Sequence, residues 1–151
     1  MTIRGQGRNY FRPALHSVQT LLREAQLPTQ DLTAAHLEHF IACRSDDALD
    51  GVVGLEMYVP YALLRSLAVA PAKRGNGIGQ AMLAEAERYA RHRGAQEIYL
   101  LTTSAESFFR LAHYARVARD DVPPAIRRTT EFTTLCPASA VAMRKMLRPP
   151  K

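Results

Sequence analysis

The stretch LLRSLAVAP (Leu63–Pro71) is followed by RGNGIG (Arg74–Gly79) and then by a helical pattern from Gln80 to Arg93. An apolar, strand-like segment therefore leads into a glycine-rich turn, and an amphipathic helix begins directly after that turn. Glycines at alternate positions allow positive φ angles and close approach of the backbone, because no Cβ stands in the way. Backbone N–H groups that converge at the positive end of a helix bind phosphate or pyrophosphate. The stretch predicts an anion-binding turn at the start of this helix.

The order of residues in the turn argues against two common nucleotide loops. A dinucleotide loop needs G-x-G-x-x-G and an acidic residue about twenty positions later, where this chain has the strand-like Tyr99–Leu101. A Walker loop needs G-K-[ST], and the sequence lacks that triplet. The R-x-x-G-x-G order instead resembles the acetyl-CoA pyrophosphate loop of the GNAT acetyltransferases. The alternative is a plain strand-to-helix turn whose glycines serve geometry alone.

The resemblance to GNAT acetyltransferases covers nearly the whole chain. Leu63–Val69 looks like the fourth strand of that family, and Ala105–Leu111 with Tyr114 looks like its last-helix motif. The tail from Val122 to Phe132 is similar to the small arsenic-resistance N-acetyltransferases, the ArsN group. The resemblance implies an α+β fold with a mixed, mostly antiparallel sheet flanked by helices, acetyl-CoA as cofactor, and N-acetyltransferase activity.

Length and composition bound the class of protein. The chain has 151 residues, 47% of them hydrophobic, and we expect one domain over 1–151 with its own core. No run of eighteen apolar residues predicts a membrane span, and no apolar region follows the polar N-terminus as it would in a secretory signal. Cys43 and Cys136 are too few for a disulfide framework. These features predict a cytoplasmic protein without a membrane partner.

The formal net charge of +6 has three interpretations: nucleic-acid binding, attraction of an anionic cofactor and substrate, or compositional bias. Seventeen of the twenty basic residues are arginine, and they are scattered along the sequence without interleaved aromatic residues. We therefore expect no nucleic acid as partner, and the family resemblance implies a small-molecule amine. A homodimer stays open.

Strand-like and helix-like segments alternate without a long linker, which predicts an α+β order with a central βαβ unit. Ser104 is expected to cap the helix that follows it. The predicted elements are a strand at Arg8–Pro13, a helix at Ser17–Ala25, a second helix through His39 that Asp31 or Thr33 caps, a hairpin of Phe40–Arg44 and Gly51–Tyr58, strands at Ala62–Val69 and Glu97–Thr102, a helix at Ser104–Ala112, a strand at Tyr114–Arg119, an irregular or short-helical segment at Pro123–Phe132, and a closing strand at Ala140–Leu147.

The resemblance also assigns the cofactor contacts. The fourth strand of the family offers backbone groups to the pantetheine arm, Thr102 stands where many relatives carry an asparagine on that arm, and Phe109 stands at the position of the tyrosine that protonates the departing thiolate. Since Phe109 has no proton to give, a tyrosine acid is in doubt. The residues implied to bind the cofactor are Leu67, Ala68, Val69, Arg74, Gly75, Asn76, Gly77, Gly79, Gln80, Thr102 and Phe109.

Two charged residues interrupt apolar strands. Glu56 in Gly51–Tyr58 is the predicted general base, with an anchor for the substrate ammonium or a surface position as alternatives. Strict alternation puts Arg65 on the face of Leu63 and Leu67, where a substrate carboxylate or arsonate would supply a bidentate partner. The alternative is a structural ion pair between Arg65 and Glu56.

Other polar residues are weaker candidates. Thr103 and Arg127 are expected in the acceptor pocket. Cys136 suggests arsenic chemistry, but one cysteine is a poor trivalent-arsenic site and a buried small residue is the simpler interpretation. His36 and His39 have no further ligands in register, so we predict no metal site. The sequence thus predicts an acetyl-CoA-dependent N-acetyltransferase acting on a small amine, an amino acid or its arsenic- or phosphorus-bearing analogue. The alternatives are a protein or peptide N-acetyltransferase and a non-catalytic CoA-binding sensor.

Overall fold

A computed structural model describes residues 9–135 and 137–149 of the chain. The described residues form six strands and four α-helices, together with short 3₁₀ turns and one turn of π-helix at Glu131–Leu135. The elements are α1 (Leu15–Glu24), β1 (Phe40–Cys43), β2 (Gly51–Tyr58), β3 (Tyr61–Val69), α2 (Ile78–His92), β4 (Glu97–Thr102), α3 (Glu106–Leu111), β5 (Ala115–Arg116), α4 (Pro124–Arg127) and β6 (Val141–Met146).

The strands form one mixed sheet in the order β1-β2-β3-β4-β6-β5. β1 pairs with β2, and β6 pairs with both β4 and β5, all antiparallel. β3 and β4 pair in parallel, since the connection that contains α2 returns the chain in the same direction. The predicted α+β class, with a largely antiparallel sheet flanked by helices, is confirmed.

The chain divides into two compact units. The first comprises the residues up to Leu55 together with Ser66–Ala86, and the second comprises Glu56–Arg65 together with the residues from Glu87 onward. The expectation of a single domain stays a prediction.

The core of the first unit forms around α1. Val18, Leu21 and Leu22 recur at helical spacing and are buried against strand residues such as Val52. Phe40 of β1 lies opposite Gly54 of β2 in the antiparallel register. A Cβ on Gly54 would collide with the Phe40 ring, so the missing side chain makes room for the aromatic ring.

The core of the second unit forms around β4, whose central residues Ile98, Tyr99 and Leu100 are fully buried. Ile126 of α4 and Phe132 of the π-helical turn pack in one cluster with Tyr99. The segment that the sequence predicted as irregular or short-helical therefore contributes apolar side chains to the core.

Three helices end with the same backbone motif. In each, the residue after the C-cap adopts a positive φ, and the next N–H bonds back to a carbonyl five residues earlier, as in the Schellman motif. The three residues with positive φ are Gln26 after α1 (+59°), Gly94 after α2 (+96°) and His113 after α3 (+75°). Only one of the three is glycine, so the other two helices end in a backbone conformation that a side chain disfavours.

Four predicted features differ in the structure. The second helix expected to run through His39 is a 3₁₀ turn at His36–His39. The expected strand at Arg8–Pro13 is, within the described residues, a single bridge between Phe11 and Ala42. The strand expected at Tyr114–Arg119 is reduced to β5 (Ala115–Arg116). Tyr114 still takes part in the backbone motif that ends α3, and the chain forms a 3₁₀ turn at Arg119–Asp121. Ser104 does not cap α3. The Oγ1 of Thr102 accepts the bond from the N–H of Ala105 instead, at 2.9 Å.

Candidate active site

The glycine-rich turn joins β3 to α2 as the sequence predicts. After a 3₁₀ turn at Pro71–Lys73, Gly75 and Gly77 adopt φ angles of +83° and +77°, and α2 begins at Ile78. A Cβ built on Gly75 meets nothing within 4 Å, and one on Gly77 meets only Oε1 of Gln80, at 3.5 Å. The glycines are therefore required by backbone conformation and not by packing, and the space above the turn is open.

The backbone N–H groups of this turn are available for a ligand. Among the described residues, none accepts a hydrogen bond from the N–H of Gly75, Asn76 or Gly77. The first N–H groups of α2 also lack partners within the helix, as at any helix start. The turn's side chains fold back on its own chain: Nε of Arg74 donates to the Val69 carbonyl at 3.3 Å, and Nδ2 of Asn76 donates to the Lys73 carbonyl at 3.2 Å. The turn thus presents a row of unpaired donors at the N-terminus of a fifteen-residue helix.

Leu67, Ala68 and Val69 form the end of β3, just after a break in its regular geometry. Ser66 has a φ of +59°, in the left-handed region. The alternation of side chains between the two faces, which the sequence predicted for all of β3, is therefore interrupted at Ser66. It cannot be used to place Leu67 and Arg65 on the same face. Pairing of β3 with β4 covers Tyr61–Leu63 and does not include Leu67, Ala68 or Val69, the three predicted cofactor contacts on this strand.

The structure brings Glu56 and Arg65 together. Nη1 of Arg65 donates to Oε2 of Glu56 at 2.9 Å, and Nη2 of Arg65 lies 4.0 Å from Oε2 of Glu131. The Arg65 side chain has no solvent exposure, and those of Glu56 and Glu131 are 12% and 9% exposed. The buried guanidinium of Arg65 thus lies between two carboxylates, as expected for the structural ion pair. The role of Arg65 in binding a substrate stays a prediction.

Tyr58 completes this group. Its hydroxyl donates to Oε1 of Glu56 at 2.7 Å. Burial, reinforced by the bond to Glu56, raises the pKa of the Tyr58 hydroxyl far above its usual value, so at neutral pH the group is a hydrogen-bond donor. Each Glu56 oxygen therefore accepts one bond, which leaves lone pairs for a further donor such as an ammonium group.

Sequence reasoning missed Glu131. It lies on the π-helical turn and is buried. A signal was present, because Glu131 is the sole acidic residue between Val122 and the end of the chain. A carboxylate held in an otherwise apolar and basic segment is costly to bury unless a cation faces it.

Four further residues lie at the end of β4 and on or just after α3. Phe109 is buried on α3 and stacks edge-on against Phe108 and Tyr114, with ring centroids 5.1 and 5.6 Å away. Tyr114 donates to Oε2 of Glu87 at 2.9 Å, and burial raises its pKa well above the ordinary value. Thr102 ends β4 with its hydroxyl engaged at α3, and Thr103 is exposed beside it.

Three further predictions have separate outcomes. Arg127 is exposed at the end of α4. Cys136 lies outside the described residues. Nε2 of His36 lies 4.0 Å from Oδ2 of Asp31.

Among the described residues, every helix is too short or too polar to span a bilayer.

Comparison with solved structures supports the fold. The chain matches N-acetylglutamate synthase from Neisseria gonorrhoeae, solved with coenzyme A and N-acetyl-glutamate, at 19% identity and a TM-score of 0.81. That match covers 93% of this chain but 35% of the synthase, so the chain spans about a third of that relative's length.

Two other matches cover nearly the full length of both chains. Rv2747 from Mycobacterium tuberculosis, in complex with CoA and NLQ, matches at 19% identity over 93% of this chain and 99% of that chain, with a TM-score of 0.74. A GNAT-family acetyltransferase from Staphylococcus aureus Mu50 matches at 16% identity over 93% and 99%, with a TM-score of 0.71. At these identities the matches show a shared fold. No curated protein matches the sequence.

A family model gives the assignment. The model described as the acetyltransferase (GNAT) family matches residues 8–116, which include the β3–α2 turn and the helix that carries Phe109. Since this match spans well over half of the chain, the protein belongs to the GNAT family of acetyltransferases.

Proposed function

We propose that the protein transfers the acetyl group of acetyl-CoA to the amine of a small molecule, an amino acid or a close analogue. The observation that carries the proposal is the row of unpaired backbone N–H groups at Gly75–Gly77, at the start of α2. A pyrophosphate there would accept several charge-assisted hydrogen bonds, with the helix dipole in the favourable direction. Gly79 and Gln80 extend this row into the first turn of the helix, and the Arg74 guanidinium adds positive charge.

The proposed acceptor is an amino acid. One solved relative holds N-acetyl-glutamate together with coenzyme A, which is the type of product that such a transfer gives. An acceptor ammonium matches the lone pairs that Glu56 retains, and Arg65 offers its charge to an acceptor carboxylate. The tail resemblance to the ArsN group supports arsenic- or phosphorus-bearing analogues as further acceptors. Thr103 and Arg127 stay weaker candidates for the acceptor pocket.

The reaction needs a free amine and a leaving thiolate. The amine nitrogen attacks the thioester carbonyl, the C–N bond forms, the C–S bond breaks, and the electron pair leaves on sulfur. Glu56 is the proposed acceptor of the amine proton. Phe109 has no proton for the thiolate, so we propose that the thiolate leaves without a tyrosine acid and takes its proton from solvent. Direct transfer accounts for these residues without a covalent enzyme intermediate.

Calorimetry with CoA tests the loop. Gly77→Val places a β-branched side chain at a φ of +77° and blocks the backbone from the phosphates, so we expect the affinity to fall by about a hundredfold or more. Gly94→Val is the matched control, because it adds the same side chain at a φ of +96° in the turn after α2. Unchanged CoA affinity in folded Gly77→Val would refute the loop assignment.

An activity panel separates the candidate functions. Release of CoA is measured with free amino acids, with arsenic- and phosphorus-bearing analogues, and with peptides that have a free N-terminus or lysine. Turnover of free amino acids supports the proposal, and turnover of peptides alone supports the peptide acetyltransferase. Binding of CoA without release on any amine supports the sensor.

A further inference from the structure

A basic groove lies in the second unit, and its lining includes none of the residues assigned to the candidate site above. It is a concavity of about 850 Å³ formed by the end of α2, the turn between α3 and β5, and the end of β6 with the residues that follow it. Its basic lining residues are Arg88, Arg91, His92, His113, Arg144, Lys145 and Arg148, and Ala115, Met146, Leu147 and Pro149 complete the wall.

The groove concentrates the charge of the chain. Among the described residues, five lysines and arginines line it and no acidic residue does. These five residues come from two separate stretches of the sequence, and the fold brings them to one concavity. Such a concentration of one sign of charge attracts anions.

Contacts within the protein account for part of this charge. Nζ of Lys145 donates to Oε1 of Glu87 at 2.9 Å, and Arg144 lies opposite Tyr99 in the register of β4 and β6. Arg91 lies in the last turn of α2, where the helix dipole favours a cation. That dipole does not explain Arg148, which follows a strand. Arg91 on α2 and Arg148 after β6 thus bring to the groove positive charge that no described acidic residue neutralises.

We propose that this groove binds a small polyanion with at least two phosphate or carboxylate groups. The cations come from two elements, so a ligand with two or more anionic groups can contact both sets. The volume lies within the range of small-molecule sites. Nucleic acid is the less favoured occupant, since no tyrosine, phenylalanine or tryptophan lines the groove to stack on bases. A second copy of this chain would bring its own net positive charge, which opposes docking there.

Calorimetry tests the groove on protein saturated with CoA, so that a probe that binds at the β3–α2 turn is not counted. Pyrophosphate and citrate are the probes, and they separate a phosphate site from a carboxylate site. Arg91→Gln combined with Arg148→Gln removes one cation from each element. Arg12→Gln combined with Arg23→Gln is the matched control, because both residues are exposed and lie outside the groove.

We expect the groove variant to weaken binding of the preferred probe by about tenfold to a hundredfold, as the loss of charged hydrogen bonds predicts, while the control changes it less than about twofold. Equal losses in both variants would mean non-specific attraction and would overturn the proposal. So would the lack of saturable binding of either probe below about 1 mM. Groove-dependent binding of a DNA oligonucleotide, without binding of either small anion, would assign the groove to nucleic acid instead.

Discussion

Replacement of Arg65 by methionine tests the buried ion pair most directly. The change keeps a long, flexible side chain but removes a cation whose side chain has no solvent exposure. It leaves the carboxylates of Glu56 and Glu131 nearly buried, at 12% and 9% exposure, without the charge between them. We expect Arg65→Met to lower the free energy of unfolding by about 3–5 kcal/mol, the usual cost when one partner of a buried pair is removed.

The same reasoning predicts recovery when the partner is also removed. Replacing a whole buried ion pair by neutral groups is often close to neutral for stability, so Arg65→Met combined with Glu56→Gln should regain most of the loss. Glu131 lies farther from Arg65, at 4.0 Å, and its neutralisation should recover less. Comparing the two double variants therefore shows which carboxylate, that of Glu56 or that of Glu131, interacts more strongly with Arg65.

The free energy of unfolding is measured by urea unfolding monitored by circular dichroism. The m-value, which is the slope of that free energy against urea concentration, must be the same in all variants. The control is Arg23→Met at the exposed end of α1, which we expect to change stability by less than about 0.5 kcal/mol. A loss below about 1 kcal/mol in Arg65→Met would refute the buried pair as a stabilising element. If such a stable variant also showed a raised KM for the acceptor and unchanged affinity for CoA, Arg65 would be a substrate residue.

Three further predictions concern single residues. Glu56→Gln should reduce kcat by about 10²–10⁴-fold if Glu56 is the base, with partial recovery at high pH where the amine loses its own proton, and wild-type kcat at neutral pH would exclude that role. His113→Gly should raise the unfolding free energy by about 0.5–1 kcal/mol, measured by urea unfolding, because glycine tolerates the φ of +75°; an unchanged or lower value would contradict this account of the helix end. Arg116 and Arg110 lower the pKa of Glu106 to about 2 from 4.5, so its contribution to stability is complete above pH 4.5 and is lost as the pH falls through 2. The difference in urea midpoint between wild type and Glu106→Gln should therefore shrink over that range, and a difference that stays constant down to pH 2 would contradict the pairing.

The parts of the fold that the sequence predicted well carry strong local signals. Alternating and helical periodicities placed the β1–β2 hairpin, β4 and α2 within about two residues of their observed ends. The glycine-rich turn was predictable because φ angles above zero and a helix start both leave marks in the sequence. The pairing of Glu56 with Arg65 was left as one of two alternatives, since sequence order alone does not give the register of two strands.

Features that depend on tertiary context were not predictable. The positive φ of Ser66 leaves no mark in a β-rich stretch, so alternation was extended through it. Glu131 and Arg65 are 66 positions apart, and only the folded chain brings them together. The groove is the clearest case, because α2 and β6 each contribute a few basic residues that look like ordinary exposed positions until they share a wall.

The collision that forbids a Cβ on Gly54 has an evolutionary consequence. Phe40 and Gly54 behave as one two-residue unit, in which the aromatic ring covers the backbone that a side chain would otherwise protect. Neither position is free to drift alone: any side chain at 54 meets the ring, and a small residue at 40 leaves a bare glycine in mid-strand. Substitutions that survive should therefore come in pairs, and an alignment of relatives should show these two columns changing together.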